Sequence, residues 1–422
     1  MGKRRYRSTA FDEMDWSAVL SQIEGARVVL AVDVAKEAFM AQLLDEEREV
    51  LATVRWSHPQ QTRALVETLK AWLGRSRVEV VMEPTGTYGD ALRGLLVAQG
   101  WPVYRVSPKR VHDAAELYDG VPSLHDAKAA YVMGRLHLDG VSEAWEEPSE
   151  ERREMKALQG LLRLYQGRFQ RGLNRLEAQL ARHWPEVLGL LELGSVTLLQ
   201  MLAEYGEPRR IAADPVGAAV LMGRVGGRGL RLEKREQVLA SAARSVGVPC
   251  IEAERELLQG LAADLLATRE QLRGLERRLK AKVRQTPVLR RMAAVVGPTT
   301  SAVLMATQGS PLNYPEPRSY QKSLGLNLKE RSSGKHKGQL KITKRGPSLA
   351  RQYLYFAALR LMDRDPVVRQ WCDRKARRDG GRKGKAVTAV MRKLAKALWY
   401  VARGEPFEAR KLFTVETWPM AA

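Results

Sequence analysis

The sequence predicts an α/β domain followed by mostly helical domains, and three observations support this prediction. Residues 27–108 alternate between strand-like and helix-like segments. Two later segments, 155–180 and 258–279, repeat apolar residues at steps of three and four, as long helices do. The C-terminal part is basic but still contains apolar, helix-forming stretches. At 422 residues, the chain has room for two or three domains with separate cores.

The first segment predicts a mixed sheet. RVVLAVDVA is an apolar run, and both EAFMAQLLD and REVLATVRW alternate with a period of two, so we expect three adjacent strands. A helix is expected over 59–73, a buried strand in VEVVMEPTG, a helix in GDALRGLLVAQG and a fifth strand in WPVYRVSP. With the helix expected in HDAKAAYVMGRLH, this order of elements is that of the RNase H-like fold.

The middle of the chain predicts two long helices. Their heptad spacing is typical of an antiparallel coiled-coil stalk or a dimerisation arm, although core helices of a bundle would show the same apolar stripe. Between them, residues 185–249 contain several glycines and suggest short helices and loops whose role the sequence does not reveal. Further on, RRMAAVVGPTTSAVLMA predicts either a phosphate-binding helix-hairpin-helix or a plain helix pair with a Gly-Pro turn.

The charge of the chain favours a polyanionic partner. The net charge is +22, and residues 331–411 hold 23 Lys or Arg against 6 Asp or Glu. Such clustering is typical of contact with nucleic-acid phosphates, while a solubilising basic tail is the alternative. We see no apolar run that could span a membrane and no secretory signal. Cys250 and Cys372 suggest neither a disulfide framework nor a zinc site, so a cytoplasmic protein is expected.

Three acids lie at the ends of predicted elements. Asp33 ends the first strand, Glu83 ends the fourth, and Asp126 begins a helix. A single acid at a strand end is usually a solvated turn residue, but acids at equivalent ends of neighbouring strands converge on one point. Such a cluster needs cations, and phosphoryl transfer uses two Mg²⁺ ions roughly 3.5–4 Å apart. We therefore predict a two-metal Mg²⁺ site.

Three stretches within residues 31–140 surround these acids: AVDVAKEAFMAQLLD, VVMEPTGTYGDALRGLLVAQGWPVYRVSPKRV and DGVPSLHDAKAAYVMGRLHLDG. Together they resemble the N-terminal, RuvC-like domain of the DEDD transposases, an insertion-sequence family that also includes the pilin-gene invertases. The family carries Asp, Glu and an Asp-x-x-Asp pair, with a Glu-x-Thr-Gly-x-Tyr turn that Glu83–Tyr88 matches. The resemblance implies that Asp33, Glu83 and Asp126 are catalytic metal ligands.

The sequence departs from this pattern at the fourth acid. If Asp126 is the first acid of the pair, the second position holds Ala129; if it is the second, the first position holds Ser123. We prefer the first alignment, because the residues after Ala129 then fall where the family has its helix. Water or Asp119 could complete the site, but weaker metal binding or loss of catalysis stays open.

A second resemblance covers GLNLKERSSGKHKGQLKITKRGPSLARQYLYFAAL, residues 325–359. This stretch is similar to the C-terminal transposase domain of the same family. The match makes Ser333, directly before Gly334 in a basic loop, the expected nucleophile, with the adjacent Ser332 as its rival. A serine hydroxyl needs a base or a metal for activation. Expected nucleic-acid contacts are Arg331, Lys335, Lys337, Lys341, Lys344, Arg345 and Arg351.

The resemblance also implies a domain plan and a mechanism. Residues 1–145 would form the RNase H-like catalytic domain, 146–285 a helical coiled-coil and insertion region, and 286–422 the basic transposase domain. The family cuts and rejoins donor and target DNA through a serine–DNA link, as dimers or tetramers, in the bacterial or archaeal nucleoid. Some members use a structured noncoding bridge RNA to choose sites by base pairing.

Two other functions remain open from the sequence. An RNase H-like nuclease or junction resolvase would hydrolyse DNA with the metals alone, leaving Ser332 and Ser333 as phosphate contacts. A transposase-derived nucleic-acid-binding protein without catalysis is the other, and Ala129 makes it plausible. Capture of a covalent protein–DNA link would favour the transposase over both.

Overall fold

The structure is a computed structural model that describes residues 6–21, 25–73, 76–84, 86–226, 229–333 and 336–414. The chain divides into two compact units, Met1–Glu147 (unit 1) and Pro148–Ala422 (unit 2). The further boundary that the sequence suggests at residue 285 stays a prediction. Within the described ranges, no helix combines the length and the apolar character that a membrane crossing requires.

Unit 1 is built on a seven-stranded mixed sheet with the strand order β1-β4-β3-β2-β5-β6-β7. Strands β2, β3 and β4 form an antiparallel meander, and β2, β5 and β6 run parallel. This arrangement confirms the predicted RNase H-like fold. The strands are β1 Thr9–Ala10, β2 Arg27–Val34, β3 Ala38–Leu44, β4 Val50–Ser57, β5 Arg77–Met82, β6 Val103–Arg105 and β7 Glu143–Ala144.

Helices cover both faces of this sheet. The core of one face joins alternate residues of β2, such as Leu30, to Leu65 and Leu92 of two helices. The core of the other face joins Ala31 to Tyr131. Because both faces are buried, β2 is apolar almost throughout, as the sequence suggested. The helices are α1 Trp16–Leu20, α2 Thr62–Leu73, α3 Asp90–Ala98, α4 Pro108–Asp113 and α5 Asp126–Leu138.

Two element bounds differ from the sequence prediction for local reasons. Helix α2 begins at Thr62 rather than at 59, and the side chain of Gln61 accepts a hydrogen bond from the backbone N–H of Ser57 at 2.8 Å just before it. Strand β6 has only three residues. Prolines 102 and 108 lie on either side of it, and a proline cannot donate a backbone hydrogen bond to a sheet.

Helix α5 lies unusually close to the sheet. A Cβ atom at Gly134 would come within 2.6 Å of Leu44 Cδ1 and 3.2 Å of Ala31 Cβ. The alanines Ala127 and Ala130 on the same helix are also buried. Small side chains therefore allow the close approach that holds α5, and the acid at its first residue, over β2.

A buried carboxylate anchors the other end of the sheet. Glu79 of β5 is 2% exposed and accepts hydrogen bonds from Arg27 and His137, both at 2.8 Å, and pairs with Arg77 at 3.0 Å. Burial pushes the pKa of Glu79 upward, but the bonds from Arg27 and His137 outweigh it and hold the pKa below its usual value. His137 also bonds Ser142 at 2.7 Å. This network fastens the C-terminal end of α5 to the sheet.

In its described residues, unit 2 is helical apart from one two-stranded sheet, β8 Leu328–Ser333 and β9 His336–Ile342. Helices α6 and α11 have 34 residues each and pack antiparallel against each other, one of the arrangements that their heptad spacing allowed. The helices are α6 Glu150–His183, α7 Val196–Tyr205, α8 Pro208–Ala213, α9 Pro215–Gly226, α10 Leu232–Ala243, α11 Glu252–Gln285, α12 Pro287–Val296, α13 Pro298–Gln308, α14 Pro317–Ser323, α15 Ser348–Arg364, α16 Pro366–Arg378, α17 Lys383–Ala402 and α18 Ala409–Leu412.

The segment that the sequence left uninterpreted forms a helical subdomain. Helices α7 to α10 share a core with one end of the α6 and α11 pair, centred on the fully buried Trp184. The Trp184 indole N–H donates to the hydroxyl of Ser241 at 3.2 Å. Further along, α12 and α13 form the predicted helix pair, with Gly297 at φ +85° between them.

The packing of α5 gives a test with a matched control. Gly134→Leu should destabilise the protein by about 1–3 kcal/mol, because the new side chain would overpack a closed interface. Gly94→Leu, at an exposed helical glycine with no neighbour within 4 Å, should instead stabilise by up to about 1 kcal/mol, because leucine favours helix. Urea unfolding of both variants measures the difference, and an equal gain at both positions would contradict the close packing.

Candidate functional site

Two of the predicted acids lie at the same edge of the sheet. Strands β2 and β5 are parallel neighbours, and Val32 pairs with Met82 in their register. Asp33 and Glu83 are therefore each one residue past the last pair, at the carboxyl ends of adjacent strands. Ligands bind at this edge of open α/β sheets. The fold thus brings together two residues that are 50 positions apart in the chain.

The third predicted acid begins α5. Asp126 is the first residue of this helix and is exposed, and His125 caps the helix by accepting the backbone N–H of Lys128. A carboxylate at a helix N-terminus is favoured by the helix dipole. The close packing of α5 on β2 brings this end of the helix near the carboxyl end of β2.

The pKa of Asp33 depends on the charges of the other two acids, Glu83 and Asp126. Burial raises the pKa of Asp33 to about 6, and the negative charges of Asp126 and Glu83 add to the rise. The backbone hydrogen bond to Val34 opposes it. The three carboxylates are therefore close enough for their charges to interact, and burial together with this interaction makes the ionised form of Asp33 costly at neutral pH.

The donor set fits a divalent cation by its chemistry. Carboxylate oxygens are the ligands that Mg²⁺ prefers, and a cation would relieve the repulsion that raises the pKa of Asp33. Within the described ranges, however, no three His, Cys, Asp or Glu side chains are already gathered as a metal cage. The three carboxylates therefore interact electrostatically without forming a cage.

The residues considered for the fourth acid have different surroundings. Ala129 is 6% exposed and packs in the apolar core beneath α5, where an added carboxylate would be costly. Ser123 is exposed in the loop before the helix. Asp119 accepts hydrogen bonds from Lys128 at 2.8 Å and Tyr6 at 2.9 Å, and the Lys128 bond helps hold its pKa below the usual value. Asp119 is therefore committed to structural partners.

Lys128 is a residue that sequence reasoning missed. Its side chain is 2% exposed, and its ammonium donates to Asp119 and, at 2.6 Å, to the carbonyl of Val121. These bonds tie residues 119–121 to the first turn of α5, two residues from Asp126. A lysine on the apolar side of a helix, where the pattern calls for a small residue, was the only signal in the sequence. The contact fixes the loop that leads into Asp126.

The basic loop between β9 and α15 is held rigidly. A Cβ atom at Gly346 would lie 2.3 Å from the carbonyl oxygen of Ser323, and one at Gly325 would lie 2.7 Å from that of Arg345. The two backbones can pack this closely only because both residues are glycines. Lys344 adopts φ +56°, an uncommon conformation for a residue with a side chain. The loop presents Lys344 and Arg345 to solvent.

The other predicted nucleic-acid contacts have varied positions. Lys341 is exposed, whereas Arg351 donates to the carbonyls of Gly346 at 2.8 Å and Leu324 at 3.3 Å and so supports the basic loop. Lys335 lies outside the described residues. The structure gives only the backbone of the remaining four, which belong to the strands of the β8–β9 ribbon: Arg331, Ser332, Ser333 and Lys337.

The backbone around the predicted nucleophile is irregular. Arg331 pairs with Gln339, but Ser333 pairs with His336, so the register shifts between Arg331 and Ser333. A β-bulge redirects the strand locally, and bulges are frequent next to active sites. The two serines thus lie at the irregular end of β8.

The raised pKa of Asp33 predicts how pH affects stability. Ionised Asp33 destabilises the fold above about pH 6, and the penalty fades as the pH falls toward the ordinary value of 3.8. In EDTA, Asp33→Asn should raise Tm by a few degrees at neutral pH and have little effect below about pH 4. Glu116→Gln, at an exposed carboxylate, is the control. A destabilised Asp33→Asn protein at neutral pH would contradict the repulsion.

The Lys128 contact predicts a metal-binding defect. Lys128→Met should free residues 119–121. The Mg²⁺ concentration needed to stabilise the fold should then rise about tenfold, because residues that hold metal ligands in place commonly contribute this much to metal affinity. Lys375→Met, which removes the Lys375–Asp379 ion pair of α16, should leave that concentration unchanged. Thermal unfolding across a Mg²⁺ titration measures both. An unchanged Mg²⁺ midpoint in a folded Lys128→Met protein would contradict the role of this contact.

Comparison with known proteins identifies the family. Residues 30–185 match a family model of the IS110 DEDD type, described as Transposase, and residues 289–372 match another, described as Transposase IS116/IS110/IS902 family. The chain is also similar to the Insertion element IS110 uncharacterized 43.6 kDa protein of Streptomyces coelicolor. The two are 25% identical over 384 residues, which cover 88% of this chain and 92% of the relative. The chain therefore belongs to the IS110 family of DEDD transposases, which are enzymes that act on DNA.

Proposed function

We propose that this transposase cuts and rejoins DNA strands with an Mg²⁺ site formed by Asp33, Glu83 and Asp126 and with Ser333 as nucleophile. The observation that carries the proposal is the placement of Asp33 and Glu83 at the carboxyl ends of adjacent parallel strands, near Asp126. Burial, with the charges of Asp126 and Glu83 added to it, raises the pKa of Asp33 to about 6. A fold that gathers three carboxylates at the ligand-binding edge of its sheet is suited to divalent cations and a phosphodiester.

The three acids have distinct positional roles in this proposal. Asp33 and Glu83 extend from adjacent parallel strands, so the sheet fixes their spacing. Asp126 approaches from the first turn of α5, which the Lys128 contact steadies. When bound, the Mg²⁺ ions would stabilise the charge that develops on the attacking and leaving oxygens. Ala129 contributes no ligand, so three carboxylates and water would make up the site.

The serine chemistry is proposed from the family resemblance and the local backbone. The hydroxyl oxygen of Ser333 would attack phosphorus, the bond to one DNA oxygen would break, and that oxygen would leave as a hydroxyl. The resulting phosphoserine link keeps the energy of the broken bond for rejoining. The register shift beside Ser333 supports this position, and Ser332 is the alternative nucleophile within the same shift. Lys344 and Arg345, on their rigid loop, supply positive charge for phosphate contact.

We further propose donor and target DNA as partners, chosen by a structured noncoding RNA, in a dimeric or tetrameric assembly at the nucleoid. The charge of +22 suits contact with nucleic-acid backbones. Base pairing with a guide would supply sequence choice, while the protein would recognise shape and phosphate.

Covalent trapping tests the proposed function. Wild-type protein, Mg²⁺ and labelled element-end DNA should give a denaturation-resistant protein–DNA adduct, with none formed by Ser333→Ala, Asp33→Ala or Glu83→Ala. Ser332→Ala should retain it. All variants should still bind DNA, because the changes remove chemistry rather than phosphate contacts.

Other outcomes point to other functions. Cleavage without an adduct would indicate a metal-only nuclease or junction resolvase. Adduct loss in Ser332→Ala alone would move the nucleophile by one residue. DNA binding without cleavage or adduct under any Mg²⁺ concentration would indicate a transposase-derived binding protein, and the catalytic proposal would be withdrawn.

A further inference from the structure

The β8–β9 ribbon lacks the packing that usually stabilises a sheet. It is a separate two-stranded sheet, and among its residues with described side chains only Ile342, at its base, packs against the core of unit 2. Five of its residues with described side chains are exposed: Leu328, Lys329, Glu330, Leu340 and Lys341. An isolated hairpin is marginally stable in water. The ribbon is therefore suited to gaining stability from a partner.

The two faces of the ribbon differ in chemistry. Lys329 pairs directly with Lys341 across the strands, so two ammonium groups share one face. Because side chains alternate along a strand, Glu330 and Leu340, which pair with each other, belong to the opposite face. Like charges placed directly opposite one another destabilise a sheet. An anionic partner on the Lys329 and Lys341 face would offset this repulsion.

The base of the ribbon is anchored to the rigid basic loop. The backbone N–H of Thr343 donates to the carbonyl of Asn327 at 2.9 Å, and their side chains are joined at 2.5 Å. The backbone N–H of Lys344 donates to the carbonyl of Gly325 at 3.0 Å. The ribbon thus projects from a fixed base that carries two more exposed cations, Lys344 and Arg345.

We propose that the Lys329 and Lys341 face of the ribbon lies in the major groove of B-form DNA. A two-stranded ribbon fits this groove, and the phosphates along its edges would neutralise both lysines. The A-form major groove of duplex RNA is too narrow and deep to accept it. Glu330 would be repelled by phosphate, so the ribbon has a single favourable orientation. The inference rests on the proposed function only in taking DNA as the substrate.

Salt-dependent binding tests this proposal without any chemistry. Ser333→Ala protein in EDTA is compared with the same protein carrying Lys329→Gln and Lys341→Gln, on a short random-sequence DNA duplex and on the matching RNA duplex. The two substitutions should weaken DNA binding about tenfold and lower the salt slope by about 1.8. RNA duplex binding should be unchanged. Arg63→Gln with Lys70→Gln, at two exposed cations of α2, is the control of equal charge and should change neither.

Groove occupancy gives the second readout. In a DNA duplex with glucosylated hydroxymethylcytosines, the sugars fill the major groove. The protein with both lysines should bind this duplex only as tightly as the double variant binds unmodified DNA. Replacing both lysines by arginine should restore binding to unmodified DNA. The proposal would be overturned if the double variant lost equal affinity for the DNA and RNA duplexes, or if the protein with both lysines bound the glucosylated duplex with full affinity. Failure of serine catalysis would not affect these results, and failure of the ribbon would leave covalent trapping intact.

Discussion

Repulsion among three carboxylates at one edge of the sheet is the constraint on which unit 1 depends. The parallel register of β2 and β5 places Asp33 beside Glu83, and the small residues of α5 bring Asp126 toward them. Burial then makes the charge on Asp33 costly, so its pKa rises to about 6. At the opposite end of the sheet, Glu79 is held by Arg27, Arg77 and His137. The cost of ionised Asp33 lowers the stability of the fold, and a bound divalent cation would offset this cost.

Much of this arrangement could be predicted from the sequence, because its signals are local. Apolar strands that end in an acid give the positions of Asp33 and Glu83, and the order of elements gives the fold. Lys128 could not be predicted, since its partners Asp119 and Val121 are set by a loop that has no periodicity. Nor could the core around Trp184, which depends on long-range packing without a motif. Helix spacing identified the α6 and α11 pair but not the subdomain at its end.

Unit 2 carries exposed positive charge on two neighbouring features that differ in packing. The basic loop is rigid, because glycines 325 and 346 bring two backbones into contact and Lys344 takes an uncommon conformation. The neighbouring ribbon is the opposite case, with little packing and a repulsive lysine pair. A fixed base and a loosely held ribbon are consistent with a surface that is completed by a nucleic acid. The family membership shows an enzyme that acts on DNA, and contact between DNA and this surface is our proposal.

Crystals soaked in Mn²⁺ provide the most direct measurement of the central claim, since the anomalous signal of this ion reports its position without reference to activity. The account predicts anomalous density between the carboxylates of Asp33, Glu83 and Asp126, with loss of that density in Asp33→Asn crystals. Saturating Mn²⁺ that gives no density there, or density held by other residues, would contradict it.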